Sequence, residues 1–286
     1  VIRLGLIGPG KVGRSLVQAL PRERYALGPV LGKGPSTARR LVRDLRLGRA
    51  ETSMQALAEC NLILVATPES AAPELVSELE AGDIRWSGKC LLYTYRRHSP
   101  ELSRLAELGA SVAGCYPLQT FRRAQASLRG VHFVLEGDPA AVRAGRSVVR
   151  AVGGQSHVVT PQMKVQASIA SSMVSDAVAG VLEVGVGRLV AAGFSRRRAV
   201  EAIFPIVSAI LEDCRRGGGR SSQPLPGEPE LFERLAASYD QEAVSDEALY
   251  RRALQTALEA LEVKSENSPL VSPVELGQSE RTGLGG

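Results

Sequence analysis

Cysteine, histidine and aromatic residues are scarce in this 286-residue chain, and no uninterrupted run of apolar residues is long. The four cysteines, Cys60, Cys90, Cys115 and Cys214, share no C-x-x-C spacing, and the three histidines, His98, His132 and His157, make no metal-ligand pattern with them. Free thiols and no metal are expected. Aromatics supply only 4% of the residues, and the arginines behind the net charge of +5 are scattered, without the interleaved rings on which single-stranded bases stack. That pattern argues against a nucleic-acid partner and makes anionic small molecules the simpler reason for the basic balance. No continuous apolar stretch reaches the roughly 18 residues of a spanning helix, and no basic-then-apolar leader precedes the first strand. No membrane partner and a cytoplasmic location are the expectations.

What the chain does have is an ordinary globular balance, 44% hydrophobic and 23% charged, and a length suited to about two domains. It opens on a short apolar strand, Ile2 to Ile7, followed at once by Gly8-Pro9-Gly10-Lys11-Val12-Gly13 and an amphipathic run from Arg14 to Leu20. Strand, G-x-G-x-x-G, helix is the order that dinucleotide binding needs. Gly8 would make the tight turn, Gly10 would let the backbone approach a pyrophosphate, and Gly13 would let the helix pack against the strand. The diphosphate would rest on the helix N-terminus, where unpaired N–H groups and the helix dipole favour an anion.

Helical and strand periods then alternate. Strands are expected at 25–31, 62–66, 89–93, 111–115, 131–136 and 156–159, with helices at 54–59, 73–79, 100–108 and 140–152 between them. Leu62-Ile63-Leu64-Val65-Ala66 is continuously apolar, as in a buried parallel strand, and stops at Thr67-Pro68, where a proline cannot continue a central ladder. The pattern predicts a doubly wound, mainly parallel sheet over residues 1–160. From Thr160-Pro161 the period is helical only, with a long helix to about 192, another over 196–214, a Gly/Ser/Pro-rich loop over 217–230, and helices at 231–239 and 247–261. Residues 161–264 are thus expected to form a smaller all-helical domain, and residues 265–286 a flexible tail. The apolar length of 165–190 predicts a homodimer joined through the helical domain.

At the tip of the second strand, where a binder of the unphosphorylated dinucleotide places an acid, this chain has Lys33, followed by Ser36, Thr37, Arg39 and Arg40. Cations and hydroxyls where a 2′-phosphate would lie favour NADP over NAD. Ligands of open α/β sheets lie beyond the carboxyl ends of the strands, so Thr67-Pro68, Thr94 to His98 and Tyr116 to Thr120 should rim one crevice.

Several stretches together resemble one family: the glycine loop, the strand ending at Thr67-Pro68, Tyr116-Pro117-Leu118-Gln119-Thr120-Phe121, the Glu136-Gly137-Asp138 turn and the helix bearing Lys164. They are similar to the bacterial Rossmann-like proteins carrying domain of unknown function 2520, themselves similar in layout to pyrroline-5-carboxylate reductases and deazaflavin-dependent NADP oxidoreductases. The resemblance covers about residues 1–264 and implies a Rossmann domain with a helical domain behind it, a dimer, and an oxidoreductase activity. Departures are specific. Tyr116 stands where the family has the histidine of His-Pro-Leu-Gln-Thr-Phe, and Ala167-Ser168 where it has Tyr-His. Val174-Ser175-Asp176 replaces Ala-Ser-Asn, and Tyr95-Arg96-Arg97 replaces the small Ser-Gly-Ala loop against which a nicotinamide would lie. Gln223 to Gly227 replaces a Gly-Pro-Ile-Ala-Arg-Gly-Asp stretch.

On the long helix, Lys164, Ser168, Ser171 and Ser175 fall on one stripe, with Ser172 and Asp176 beside them. Small hydroxyls in that number suggest close packing or a pocket wall. For a reductase, Lys164 or Tyr116 would donate the proton to a carbonyl or imine, with Ser168 on the same face, and Asp176 would orient an amine. Thr94, Arg96, Gln119 and Thr120 would meet the substrate, Arg96 with Arg97 as a carboxylate clamp. Residues 164 and 176 are separated by about 18 Å of helix, so they would serve different ends of the ligands. Two functions are expected from these residues: an NADP-dependent reductase of a small carbonyl or imine, or a nucleotide-binding sensor or partner protein on a reductase fold.

Overall fold

Crossover helices set the direction of each strand in the sheet. The computed structural model describes residues 1–216 apart from 122, 125 and 126. The loop expected at 217–230, the helices at 231–239 and 247–261 and the tail at 265–286 lie outside the described residues. In chain order the elements are β1 (Ile2–Ile7), α1 (Lys11–Ala19), β2 (Tyr25–Leu31), α2 (Pro35–Leu45), β3 (Arg49–Ala50), β4 (Leu62–Val65), α3 (Ala72–Ala81), β5 (Cys90–Tyr93), α4 (Pro100–Ser103), β6 (Ser111–Pro117), β7 (His132–Gly137), α5 (Pro139–Ala151) and β8 (Gln155–Val158). The short helix expected at 54–59 is a 3-10 segment capped by Ser53, whose Oγ accepts from the Gln55 N–H at 3.3 Å. β3 is not legible in the sequence, because two residues show no period.

The sheet runs β3-β2-β1-β4-β5-β6-β7-β8. Every pair is parallel except β6 with β7, after which β8 runs parallel to β7. A parallel return needs a crossover, usually a helix, and none is described between β6 and β7. The doubly wound, mainly parallel expectation holds. One face buries Leu6, Leu64, Leu92 and Leu135 beneath Leu16 of α1, Leu41 of α2 and Val148 of α5. The other buries Ile7, Ile63, Val65, Leu91 and Tyr93 beneath Leu75 and Leu79 of α3 and Leu102 of α4. Each such aliphatic side chain contributes about 1.5–3 kcal/mol on burial.

Strand register lines up one row of residues across most of the sheet. Leu31, Ile7, Val65, Tyr93, Gly114 and Glu136 are successive partners across β2, β1, β4, β5, β6 and β7. This row closes β1, β2, β4 and β5 at their carboxyl ends, and its side chains share one face of the sheet. Five positions belong to an apolar strand row, and the sixth is a carboxylate.

Helix α6 (Pro161–Ala191) starts where Thr160 Oγ1 accepts from the Met163 N–H at 3.2 Å, with Pro161 in the first turn. It stops at Gly193, whose φ of +94° lets the N–H groups of Gly193 and Phe194 return to Val190 O and Leu189 O. Helix α7 spans Arg196–Arg216. The described chain divides into two compact units, Val1–Ser175 and the residues from 176 onward. Within the second, a side chain at Gly185 would meet Ile203 Cδ1 at 2.9 Å, so this glycine lets α7 approach α6 closely. Although no uninterrupted apolar run reaches spanning length, α6 as a whole is long and apolar enough to cross a membrane by length and composition. Its serines and Lys164 interrupt the apolar run without lowering the average enough, and Lys164 and Ser168 are buried in the first unit.

Candidate functional site

The loop after β1 is shaped by three glycines with different reasons. Gly8 has φ +91°, and a Cβ there would lie 2.5 Å from Ala66 C and 2.6 Å from Thr67 N, both backbone. At Gly13 a Cβ would overlap Gly8 O, so no side chain fits between the helix and the loop. Gly10 is different: nothing stands within 4 Å of where its Cβ would be. It is also the N-cap of α1, with no side chain to cap the first turn and no acidic residue in that turn. An uncapped helix start facing open space can seat an anion through the backbone N–H groups of Lys11, Val12 and Gly13.

Beside this loop, Gly32 brings the end of β2 against Pro9, since a Cβ would lie 3.1 Å from Pro9 Cγ and 2.6 Å from Thr37 Oγ1. Lys33, Ser36, Arg39 and Arg40 follow, all exposed. Asp44 does not compete strongly for them. It pairs with Arg14 at 2.9 Å and with Arg40 only at 3.9 Å, and the hydrogen bond from Arg14 is the main cause holding its carboxyl below the usual range.

Two to four strand spacings along the row from Ile7, between Tyr93 and Glu136, lies a buried ionic cluster. Glu136, 2% exposed, accepts from Tyr93 OH at 2.5 Å and from Lys164 Nζ at 3.0 Å on Oε1, while His98 Nδ1 lies 2.9 Å from Oε2. Lys164, fully buried, also donates to Arg97 O at 3.0 Å and stands 4.4 Å from the centre of the Tyr93 ring. Gly114 makes the space, for a Cβ there would overlap Lys164 Nζ and lie 2.7 Å from Glu136 Oε1. Burial opposes ionisation of Glu136, but the Lys164 charge and the bonds from Tyr93, Lys164 and His98 outweigh it and hold the carboxyl below its ordinary value. Burial pushes the Lys164 ammonium down, against the pull of Glu136. Burial, then the bond to Glu136, pushes the Tyr93 phenol far up, so it remains a donor.

Other expected residues fall in several places. Thr67 Oγ1 and Tyr95 OH are 2.7 Å apart, Thr94 Oγ1 donates to Val65 O at 3.4 Å, and Pro68 is exposed. The Tyr95 ring is 2% exposed and packs beside Tyr93 with centroids 5.4 Å apart. The bulk of the Tyr95-Arg96-Arg97 loop is thus partly folded into the core rather than projected from it. Arg96 and Tyr116 are half-buried, and Tyr116 lies two residues along β6 from Gly114, on the same face. Ser168 is buried one turn from Lys164, with its hydroxyl donated to Val165 O at 2.7 Å. Thr120 Oγ1 donates to Ser175 Oγ at 2.6 Å. Gln119 borders a cavity of about 510 Å³ with Ser127, Arg129 and His132, at the connection of β6 to β7. Asp176 is the first residue of the second unit.

Sequence reasoning assigns no role to Glu136, Tyr93, His98 or Gly114 in this cluster. A signal existed, because Glu136 ends the apolar strand sequence His-Phe-Val-Leu-Glu-Gly, and a lysine buried on an apolar helix requires a countercharge.

Comparisons with known proteins agree with this layout. Residues 3–92 match the family described as NADP oxidoreductase coenzyme F420-dependent, and residues 131–227 match domain of unknown function DUF2520. No curated protein sequence matches the chain. Among solved structures the chain is similar to an imine reductase from Pseudomonas sp., at 18% identity over 92% of this chain and 90% of that one, with a TM-score of 0.61. It is similar to pyrroline carboxylate reductase from Plasmodium falciparum with NADP bound, at 15% identity over 93% and 98%, with a TM-score of 0.57. It is also similar to a reductive aminase from Aspergillus terreus in complex with NADPH and ethyl-5-oxohexanoate, at 18% identity over 92% and 94%, with a TM-score of 0.55. At these identities the likeness is one of fold. The resemblance read from the sequence motifs, and the Rossmann-like fold it implied, are borne out.

Proposed function

We propose that this chain is an NADP-dependent oxidoreductase that reduces a small carbonyl or imine. The observation that carries the reading is the shared row: the open glycine loop follows Ile7, and the buried Tyr93, Lys164 and Glu136 cluster begins two strands away, about 10 Å at the usual strand spacing. The residues present fit the nucleotide, because Gly10 leaves open space at an uncapped helix start that any larger residue would partly fill. Gly8, Pro9, Gly10, Lys11, Val12 and Gly13 would hold the diphosphate, Lys33, Ser36 and Arg39 the 2′-phosphate, and Thr67 and Pro68 would border it. When bound, the nucleotide supplies hydride.

The chain's own residues supply binding and proton control. Tyr93, Lys164 and His98 keep Glu136 ionised, and the ionised carboxylate fixes the orientation of all three. A rigid, oppositely charged pair beside the strand ends gives a preorganised field in which a polar double bond can be oriented without rearrangement. Thr94, Arg96, Tyr116, Gln119 and Thr120 remain the proposed substrate contacts, and Asp176 a proposed orienting group.

A second reading, a nucleotide-binding sensor or partner protein without turnover, is favoured by one observation: Lys164 and Ser168 are fully buried. Calorimetry with NADP and NAD, followed by reduced-nicotinamide absorbance with a panel of cyclic imines and small ketones, tests both readings. Tighter NADP binding with turnover supports the first, and binding without turnover supports the second. Lys33→Glu should weaken NADP about tenfold, as expected for loss of one exposed phosphate contact and its replacement by a like charge, and should leave NAD nearly unchanged. Equal losses for both nucleotides would refute the role of Lys33.

A further inference from the structure

The buried cluster has one member that reaches water. Tyr93, Glu136 and Lys164 are each 2% exposed or less, whereas the His98 side chain is 39% exposed. His98 lies on the segment leaving the carboxyl end of β5, on the edge of the sheet where the glycine loop and Thr67 also lie. Among the described members of the cluster, the His98 imidazole is thus the group in contact with solvent.

Hydrogen-bond inventory fixes which nitrogen carries the proton. Glu136 is ionised, so its Oε2 can only accept, and His98 Nδ1 at 2.9 Å must be the donor. Nε2 faces Ser103 Oγ at 3.3 Å, but the Ser103 hydroxyl donates its single proton to Ser99 O at 2.8 Å. In the neutral ring the Nε2 lone pair consequently has no donor from Ser103. If Nε2 takes up a proton, the Ser103 oxygen stands in place to accept the new N–H. Tyr93 OH is 3.4 Å from Nδ1 and directs its own proton to Glu136, and the Lys164 ammonium lies on the far oxygen of the same carboxylate. These groups hold the ring by one nitrogen and leave the other to exchange.

We propose that His98 is the proton donor of the reaction, with Glu136 as the residue that positions it and Lys164 as the charge that keeps Glu136 ionised. The proposal rests on the reductase reading above. In the step itself, Nε2 first takes up a proton from solvent, so that the ring carries N–H on both nitrogens; the Nε2–H bond then breaks and its electron pair stays on the ring. The proton would go to the substrate nitrogen or oxygen that becomes electron-rich as its adjacent carbon is reduced, for which a bound nicotinamide would supply the hydride. Solvent water returns a proton to Nε2 through the exposed edge of the ring. Lys164, with one N–H on Glu136, one on Arg97 O and the Tyr93 ring beneath it, stays in place throughout.

Nitrogen NMR of the full-length, 15N-labelled chain tests this directly, since only three histidines must be assigned. At neutral pH His98 should show a protonated Nδ1, and saturating NADP should shift its Nε2 signal while His98→Gln binds NADP within about twofold of the parent affinity by calorimetry. With an imine that the parent chain reduces, His98→Gln should lose at least a hundredfold in turnover with little change in KM, as general acid catalysis predicts. Should that variant be unstable, Ser103→Ala leaves the ring in place and should alter the Nε2 signal alone. An Nε2–H tautomer, or NADP binding with an unmoved His98, would overturn the assignment. Absence of any nucleotide binding would instead overturn the parent reading, and with it this role.

Discussion

Replacing Lys164 by methionine isolates the energetics of the cluster. Methionine keeps most of the aliphatic volume and removes the ammonium, leaving Glu136 charged, 2% exposed, and bonded among the described residues to Tyr93 and His98 only. Breaking a buried pair from one side costs about 3–5 kcal/mol, because the remaining charge has lost its main compensation. For a domain of this size that lowers Tm by roughly 6–20 °C. The double variant Lys164→Met with Glu136→Gln removes both charges, and should recover to within about 2 kcal/mol of the parent, since uncharged replacements avoid desolvating either ion. Urea titration followed by far-ultraviolet circular dichroism and tryptophan fluorescence gives the four corners of the cycle, with coincident transitions as the check on two-state behaviour. Acid adds a signed test. Glu136 is held below its ordinary value of 4.5, so its contribution is present above that pH and is lost as pH falls through the lowered folded value. The parent should thus lose stability below about pH 4.5 more steeply than Glu136→Gln. A single Lys164→Met cost under about 1 kcal/mol, or additive singles, would refute the ion pair as a linked unit.

The remaining predictions concern the loop and the assembly. Gly10→Ala should leave Tm within about 2 °C, because the new methyl meets nothing, yet weaken NADP by calorimetry where the diphosphate must approach; unchanged affinity would place the nucleotide elsewhere. Gly13→Ala should destabilise by about 2 kcal/mol or more, since its methyl would strike Gly8 O, and a variant as stable as the parent would show that α1 does not press on the loop there. Exposed Val178, Val181 and Val190 on α6, and Phe204, Ile206, Ile210 and Leu211 on α7, support the expected homodimer. Light scattering at low micromolar concentration should give twice the chain mass of 30.4 kDa, and a monomer mass would refute it.

Most of the sheet was legible because its signals are local. Leu62 to Val65 is apolar at every position, Gly8 to Gly13 combines a motif with its strand and helix context, and Thr160-Pro161 marks a helix start by its own chemistry. Pairing direction was less legible. The antiparallel turn at β7 depends on what fills the connection from β6, and a run such as Val-His-Phe-Val-Leu-Glu reads alike in either direction.

The candidate site divides along the same line. Lys164 could be picked out by its residue type on an apolar helix, but its partner could not, because Glu136 is 28 residues away in sequence and faces it only once β6 and β7 are in register. Gly114 is the instructive case. In sequence it is a glycine inside a strand, which suggests only a weakened strand or a close backbone approach. In the fold it is the missing side chain that lets a lysine from a helix reach a carboxylate from the neighbouring strand, on the sheet row that also passes the glycine loop. His98 completes the point. Two positions where the resembling family carries histidines hold Tyr116 and Ser168 here, and a position-by-position comparison reads that as loss. The fold instead brings an imidazole from the β5 loop to Glu136 Oε2. Acid–base chemistry depends on where a proton-carrying nitrogen is held, and here a histidine outside those two positions is held against a buried carboxylate while part of its ring meets solvent.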